Sequence, residues 1–417
     1  MSVIAACRAC GAARLVPVLS LGSTPLANAL PSREDLARPE ATFPLDLVLC
    51  EACALVQITE TVSPETLFRD YLYFSSFSDT MIEHARVLAR RLTSARSLGA
   101  GSLVMEIASN DGYLLQHYMA LGVPVLGIEP ARNVARVAVE ARGVPTLVDF
   151  FGRELAVRVA AEGHRADVVH ANNVLAHVAD LGGVVAGIRA VLKDAATSPG
   201  LPGVAVVEAP YLRDMIDGTE FDTIYHEHLC YFSLTALDKL FERHDMRIVD
   251  VERLAIHGGS LRIFAAPGRG GAAGENVTRL LREEAVLRMG EPAYYAGFAG
   301  RVERLKRELR SLLAQLKREG KRVAAYGASA KGSTLLNYVG VGAETIDFVA
   351  DRSRHKQGRF TPGTHIPIVG PEELSVRNPD YTLLLTWNFA DEILHQQAEY
   401  RAQGGRFIVP VPDVRVV

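Results

Sequence analysis

The sequence predicts an α/β protein: a small metal-stapled N-terminal unit followed by two doubly wound, parallel-sheet units. Three observations predict it. Short apolar runs alternate with helical apolar stripes between Met81 and Ala265. The alternation starts again at Lys321. Ahead of both stand two cysteine pairs, Cys7-x-x-Cys10 and Cys50-x-x-Cys53, with no further cysteine before Cys230. Strand–helix alternation covers both faces of a parallel sheet with helices, so its strands read as unbroken apolar runs.

The cysteines come first in the chain. A Cys-x-x-Cys pair turns two sulfurs toward one point, and a second pair completes a tetrahedral set for Zn²⁺. Four sulfur ligands close the shell, so such a zinc is structural. A short segment with few large apolar residues needs a staple of this kind. The plainer alternative is four unrelated buried or redox thiols. Connections such as Leu21-Gly-Ser-Thr-Pro-Leu-Ala-Asn28 suit short strands and turns around a metal.

The chain has 417 residues, 48% of them hydrophobic, enough for two or three domains. Its net charge of −3 gives no electrostatic case for nucleic acid or an acidic membrane. It contains no run of ~18 apolar residues, so no spanning segment is expected. The start, Met-Ser-Val-Ile-Ala-Ala-Cys7, lacks the features of a signal peptide. The expectation is a cytoplasmic protein, monomeric or weakly dimeric. A reducing setting favours metal over disulfides for the paired cysteines.

From about Met81 a helical stripe runs through Ile82, Ala85, Val87, Leu88 and Leu92. Predicted strands then follow at 103–107, 125–128, 144–148, 168–171 and 204–208. Helices are expected at 113–119, from about Asn133, and at 182–192. A helix at 234–243 leads to strands at 247–251 and 261–265, which form an antiparallel hairpin at a sheet edge around His257-Gly258-Gly259. Residues 267–276 are rich in Gly and Ala and read as a linker. A long helix follows, with Phe298, Val302, Leu305, Leu309, Leu312 and Leu316 in one stripe. The second sheet unit has strands at 322–326, 346–350, 382–385 and 407–410, with the turn Gly327-Ala-Ser-Ala-Lys-Gly332 before a helix from Ser333. Domain boundaries are expected at 1–72, 73–270 and 271–417.

Glu106-Ile-Ala-Ser-Asn110-Asp111-Gly112 follows a predicted strand and opens a helix, and Glu129 ends the next strand. A tight turn at a strand end lets a ligand meet main-chain N–H groups, and Gly112 removes a Cβ from it. An acid ending the second strand can grip two ribose hydroxyls. The multi-glycine pattern that lets a pyrophosphate approach is absent. S-adenosylmethionine, an adenosine ligand without phosphates, fits better than NAD(P), and an empty structural turn is the remaining alternative. Asn172 and Asn173 end the fourth strand, where they can cap a ligand or simply cap a helix.

Tyr225-His226-Glu227-His228 follows the fifth strand. A histidine near its ordinary pKa of ~6.5 can take a proton at neutral pH. A neighbouring carboxylate can orient its ring, and a phenol can donate to a developing oxyanion. The spacing is wrong for a helical HExxH metal site. On these residues alone a packed polar loop is the simpler account. Tyr71-Leu-Tyr73-Phe-Ser75-Ser76 can hold phosphate oxygens through hydroxyls and turn N–H groups, or be an amphipathic linker. His177 reads as a core or capping histidine, Cys230 as a buried thiol, and Lys331 as a diphosphate ligand or an exposed cation.

Taken together, these residues resemble the three-domain sugar C-methyltransferases. The resemblance rests on the paired cysteines, Tyr71-x-Tyr73-x-Ser75-Ser76, Asn110-Asp111-Gly112, Tyr225-x-Glu227-His228 and His257-Gly258-Gly259. It continues through Tyr326-Gly327-Ala328-x-Ala330-Lys331, Thr361-Pro362-Gly363-x-His365-Ile366-Pro367 and Trp387-Asn388. It implies a zinc-binding N-terminal domain with Cys7, Cys10, Cys50 and Cys53 as ligands. It also implies a class I methyltransferase sheet and a second, Rossmann-like C-terminal domain. The implied cofactor is S-adenosylmethionine, held by Glu106, Asn110, Asp111, Gly112, Glu129, Asn172 and Asn173. The implied substrate is a nucleotide-linked, dTDP-type 4-keto-deoxysugar. His228 is the implied base, with Tyr225, Glu227, His177 and Tyr71 around the sugar. Tyr73, Ser75, Ser76, Lys331 and His257 are implied on the substrate side. Ala108 stands where a glycine is usual. The rival expectations are an O- or N-methyltransferase, a non-catalytic nucleotide-sugar module, and an NAD(P) oxidoreductase.

Overall fold

The computed structural model describes residues 2–68, 74–194, 201–270 and 272–417, with the side chains of residues 66, 68 and 257 left aside. The predicted Tyr71 and Tyr73 lie outside the described residues, as does the side chain of His257.

The central unit is a seven-stranded sheet. Its order is Met246–Leu254, Ser260–Pro267, Val204–Pro210, Val168–Asn172, Val104–Ile107, Val125–Ile128, Thr146–Leu147. The last five strands in that order are parallel, and Ser260–Pro267 runs antiparallel to both its neighbours. The expected edge hairpin is therefore present. The continuous apolar runs have their cause in burial from both sides: Val104, Met105, Val168, Val169, Ala205 and Val206 are all fully enclosed. The first helix of this unit, Asp79–Ala95, is capped by the Ser78 hydroxyl, which accepts from Met81 N. It buries Met81, Ala85, Leu88, Ala89 and Leu92, while the predicted Val87 is exposed. Helix Arg153–Ala161 was not expected, because its Arg and Glu residues break up the apolar stripe.

The C-terminal unit has six strands in the order Ile368–Val369, Val349–Ala350, Val323–Tyr326, Tyr381–Leu384, Arg406–Val409, Arg415–Val416. The first four pairings are parallel. The expected strand 346–350 is paired only at Val349–Ala350. The turn after Val323–Tyr326 is shorter than expected: the helix starts at Ala330, so Lys331 and Gly332 lie in its first turn. Ser329 caps that helix, accepting from Gly332 N. Between the two units, Glu275–Val286 is helical directly after the linker. The long helix Phe298–Arg318 then buries Phe298, Val302, Leu305, Leu309, Leu313 and Leu316. Leu313 takes the place expected for Leu312, which is half-buried. Truncating one of these leucines to alanine would cost about 2–5 kcal/mol.

The N-terminal unit does not stand alone. Its sheet has the order Cys230–Tyr231, Val56–Ile58, Thr42–Cys50, Leu15–Pro25, so its outer strand comes from the central unit. Leu45, Leu47, Leu49, Val56 and Ile58 are fully buried, and they join the same core as Val169 and Phe232. The small unit solves its shortage of apolar surface by sharing a core as well as by its cysteines. Among the described residues no helix is long and apolar enough to cross a membrane.

Candidate active site

The four cysteines converge. Their Sγ atoms all lie within 4.8 Å of one another. Cys7 and Cys53 are 3.5 Å apart, as are Cys10 and Cys50, and none forms a disulfide. Sulfurs at ~2.3 Å from a tetrahedral zinc sit about 3.8 Å from each other. The set therefore fits Zn²⁺ with small adjustments, and its thiolate chemistry suits that ion.

At the carboxyl end of the central sheet, the chain turns sharply after Val104–Ile107. Ala108, Asn110 and Gly112 all have left-handed φ, at 51°, 49° and 80°. A Cβ at Gly112 would come within 2.9 Å of Val144 Cγ2. Backbone conformation and packing against Val144 thus require this glycine, rather than the ligand clearance expected from sequence. Glu129 braces the turn: its Oε2 accepts from Asn110 N at 2.9 Å and its Oε1 from Ala131 N at 2.8 Å. Burial pushes its carboxyl up to about 7 against the pull of those two N–H groups. Glu106 is enclosed within the strand, and burial raises its carboxyl well above the usual range.

Asp111 has one oxygen held by the protein and the other, Oδ1, buried with no hydrogen-bond partner among the described residues. Arg142 approaches its Oδ2 at 3.3 Å and donates to its carbonyl at 2.7 Å, and the Ser76 hydroxyl also donates to Oδ2. Ser75 N donates to Asn110 Oδ1 at 2.8 Å. The segment expected to hold phosphate thus has both serines bonded to the turn. One strand over, Asn172 Oδ1 is buried with no hydrogen-bond partner among the described residues. A buried acceptor at a strand end is satisfied by water or by a donor from a ligand. Asn173, also left-handed at 56°, spends its main-chain N–H on Glu208 O.

The histidine cluster closes the other side. His228 Nδ1 donates to the Thr223 carbonyl at 2.9 Å, which leaves the lone pair on Nε2. The Tyr225 hydroxyl meets that Nε2 at 2.8 Å, and the two ring centroids are 4.0 Å apart. His177 packs edge-on to His228 with centroids 4.8 Å apart. Its Nδ1 donates to the Glu227 carbonyl at 2.8 Å, and burial lowers its pKa to about 4. With that N–H engaged, a neutral His177 carries its lone pair on Nε2. Glu227 differs from expectation too. Its carboxylate accepts from Asn28 Nδ2 of the N-terminal unit at 2.7 Å, and the ring of His228 is oriented by the Thr223 carbonyl instead.

The neighbouring residues are held from outside the central unit. His226 Nε2 meets Pro44 O at 3.0 Å, and Ile58 N donates to Leu229 O at 3.0 Å. Leu229 N donates to Ala176 O at 2.6 Å, which seats His228 beside the loop that follows Asn172. Lys331 is not an exposed cation. Its ammonium lies 4.6 Å from the Trp387 ring centroid and 3.9 Å from Glu220 Oε2. Its Nζ is enclosed and makes no hydrogen bond among the described residues. Gly258 packs on the same Glu220 carboxylate, which a Cβ would strike at 2.4–2.8 Å. Sequence reasoning missed Asn28, Thr223 and Asp222, because each acts across a long separation or through its main chain.

Known proteins match in the same three parts. Residues 7–68 match a zinc binding domain family, 81–251 a methyltransferase domain family, and 255–412 the C-methyltransferase C-terminal domain. The chain is 40% identical over 416 residues to the C-methyltransferase NovU of Streptomyces niveus, covering 99% of this chain and 96% of that one. A ubiquinone biosynthesis O-methyltransferase of Rhodopseudomonas palustris is 32% identical over 109 residues, 26% of this chain and 42% of its own. Among solved structures, the magnesium protoporphyrin IX methyltransferase of Synechocystis with bound S-adenosylmethionine is similar over 45% of this chain and 79% of its own. It has 11% identity and a TM-score of 0.33. Full-length similarity to NovU, with all three domain matches in order, carries the assignment: the chain belongs to the three-domain sugar C-methyltransferase family and is an S-adenosylmethionine-dependent C-methyltransferase.

Proposed function

We propose that the substrate is a nucleotide-linked 4-keto-deoxysugar, of the dTDP type, and that methylation falls on the carbon beside its ketone with His228 as base. The observation that carries this reading is the state of His228: the Thr223 carbonyl holds Nδ1–H, so Nε2 offers its lone pair beside a tyrosine hydroxyl. A carbon next to a ketone loses a proton once its enolate oxygen is stabilised. Nε2 takes that proton. The Tyr225 hydroxyl, released from Nε2 as the ring becomes charged, donates to the enolate oxygen. A positioned base of this kind contributes roughly 10²–10⁴ in rate. His177 and Glu227 hold the ring and the loop, and Asn28 fixes Glu227 from the zinc-binding side. When bound, S-adenosylmethionine supplies an activated methyl group that needs mainly alignment. Glu129, Asn172 and the main chain of the 108–112 turn would hold it. Zn²⁺ on the four cysteines would be structural, with no part in the chemistry.

The test is mass spectrometry of dTDP- and GDP-4-keto-6-deoxysugars incubated with the protein and S-adenosylmethionine. The expected outcome is one carbon-bound methyl on a dTDP member, preceded by deuterium uptake at that carbon without cofactor. Methyl gain on oxygen or nitrogen, with no exchange at carbon, would replace this reading with the O- or N-methyltransferase.

A further inference from the structure

The loop that carries Thr223 is gripped by the C-terminal unit. Asp222 is fully buried, and its Oδ2 accepts the Trp387 indole N–H at 2.6 Å. Lys331 lies over the Trp387 ring and near Glu220, with its Nζ enclosed and without a hydrogen bond among the described residues. Thr334 donates from its hydroxyl to the Ile224 carbonyl at 3.2 Å. A buried carboxylate left without a partner costs several kcal/mol, so Asp222 stays where the indole N–H and the ammonium are. Thr223 stands between these two anchored residues, and its carbonyl is the acceptor that decides which nitrogen of His228 carries the proton.

We propose that Trp387, Asp222, Lys331 and Thr334 are positioning residues: through the Thr223 carbonyl, the C-terminal unit sets the tautomer of His228. No contact between the C-terminal unit and the His228 ring is needed. The consequence for catalysis rests on the proposed role of His228 as base; the consequence for the tautomer does not. A rotation of the 222–224 peptides would free Nδ1–H and let the proton move to Nε2, the nitrogen that must be bare to accept one.

The test uses the full chain labelled with ¹⁵N-histidine, with the His228 ring signals identified by their loss in His228→Gln. The native protein is expected to show one tautomer, protonated at Nδ1. Trp387→Phe keeps a ring under Lys331 but removes the N–H, and is expected to give mixed tautomers. Its kcat should fall about ten- to a hundredfold with unchanged affinity for S-adenosylmethionine. Asp222→Leu should do the same, while Asp222→Asn, which keeps an acceptor oxygen, should restore the single tautomer. A single Nδ1-protonated tautomer in folded Trp387→Phe and Asp222→Leu overturns the inference. Should both fail to fold, Thr334→Val decides: mixed tautomers support it and one tautomer overturns it. His228→Gln with native turnover would instead remove the base and leave the tautomer result standing.

Discussion

In the central unit, Glu129 ends the second strand and ties down the turn after the first, accepting from Asn110 N and, two residues beyond itself, from Ala131 N. In the C-terminal unit Asp351 does the same, accepting from Ala328 N at 2.7 Å and, again two residues on, from Ser353 N at 2.8 Å. The two turns differ in what lies beside the acid. Lys356 donates to Ala328 O at 2.8 Å and stands 4.0 Å from Asp351 Oδ2, so the second turn contains its own cation. Among the described residues no ion pair reaches Glu129, and its carboxyl is held up to about 7. The backbones differ as well. Ala108 bears a side chain at φ 51°, whereas Gly327, at φ 90°, could not, since a Cβ would strike Thr386 at 2.3 Å. An acid at a strand end is therefore a brace first.

Four experiments break or sharpen this contrast. The largest effect is expected at His228, the base of the proposed reaction. His228→Asn should lower turnover about a thousandfold or more, some 4 kcal/mol, while calorimetry shows native binding of S-adenosylmethionine. Near-native turnover would remove His228 as the base. Next, Glu129→Ala should weaken cofactor binding about a hundredfold, close to 3 kcal/mol. Asp351→Ala should leave cofactor binding unchanged and lower the melting temperature. Equal loss of affinity in both variants would erase the distinction between the turns.

A third experiment uses pH. His177 is half-buried, and desolvation of its ring lowers its pKa from 6.5 to about 4, while the unfolded chain takes up a proton as pH falls below 6.5. The unfolded state thus binds more protons in that window, so this stability is present above pH 6.5 and is lost as pH falls toward 4. The loss should be about 2 kcal/mol between pH 7 and 5. His177→Asn should flatten the pH dependence of denaturant unfolding over this range, and an unchanged slope would place His177 in water. The smallest effect belongs to the turn backbones. Ala108→Gly should change stability by less than about 1 kcal/mol, because relief of left-handed strain offsets the added freedom of the unfolded chain. Gly327→Ala should cost more, about 1–2 kcal/mol, in a thermal scan. Equal costs would mean that the two turns are under the same strain.

The parts of this architecture that were legible in the sequence are those in which neighbours along the chain do the work. Val104–Ile107 and Val168–Asn172 are buried on both faces, so their letters alone mark them as strands. Glu129 was legible because its position at a strand end follows from the same pattern. The cysteine pairs were legible because two ligands come from one turn. Val349–Ala350 was overextended because Ile346 and Phe348 are just as buried without pairing as strand. The orientation of His228 was read wrongly for a physical reason. Side-chain letters suggested Glu227 as its partner, but the acceptor is the main-chain carbonyl of Thr223, and a carbonyl has no letter. Asn28 and Trp387 reach the 222–228 loop across 199 and 165 residues of sequence. No window along the chain contains both partners.

The strand Cys230–Tyr231 pairs with Val56–Ile58 only after some 170 further residues have been added behind Ile58. During synthesis at about 5–20 residues per second, roughly ten seconds or more pass before Val56–Ile58 can meet its partner strand. An open edge of Val and Ile is a template for pairing with a neighbouring chain. Gln57 and the charged Arg8, whose guanidinium donates to the Ile58 carbonyl at 2.6 Å, guard that edge in the interval. The strand that follows His228 is thus the piece that ends the hazard, and a nascent chain stalled before it would be the form most exposed to aggregation.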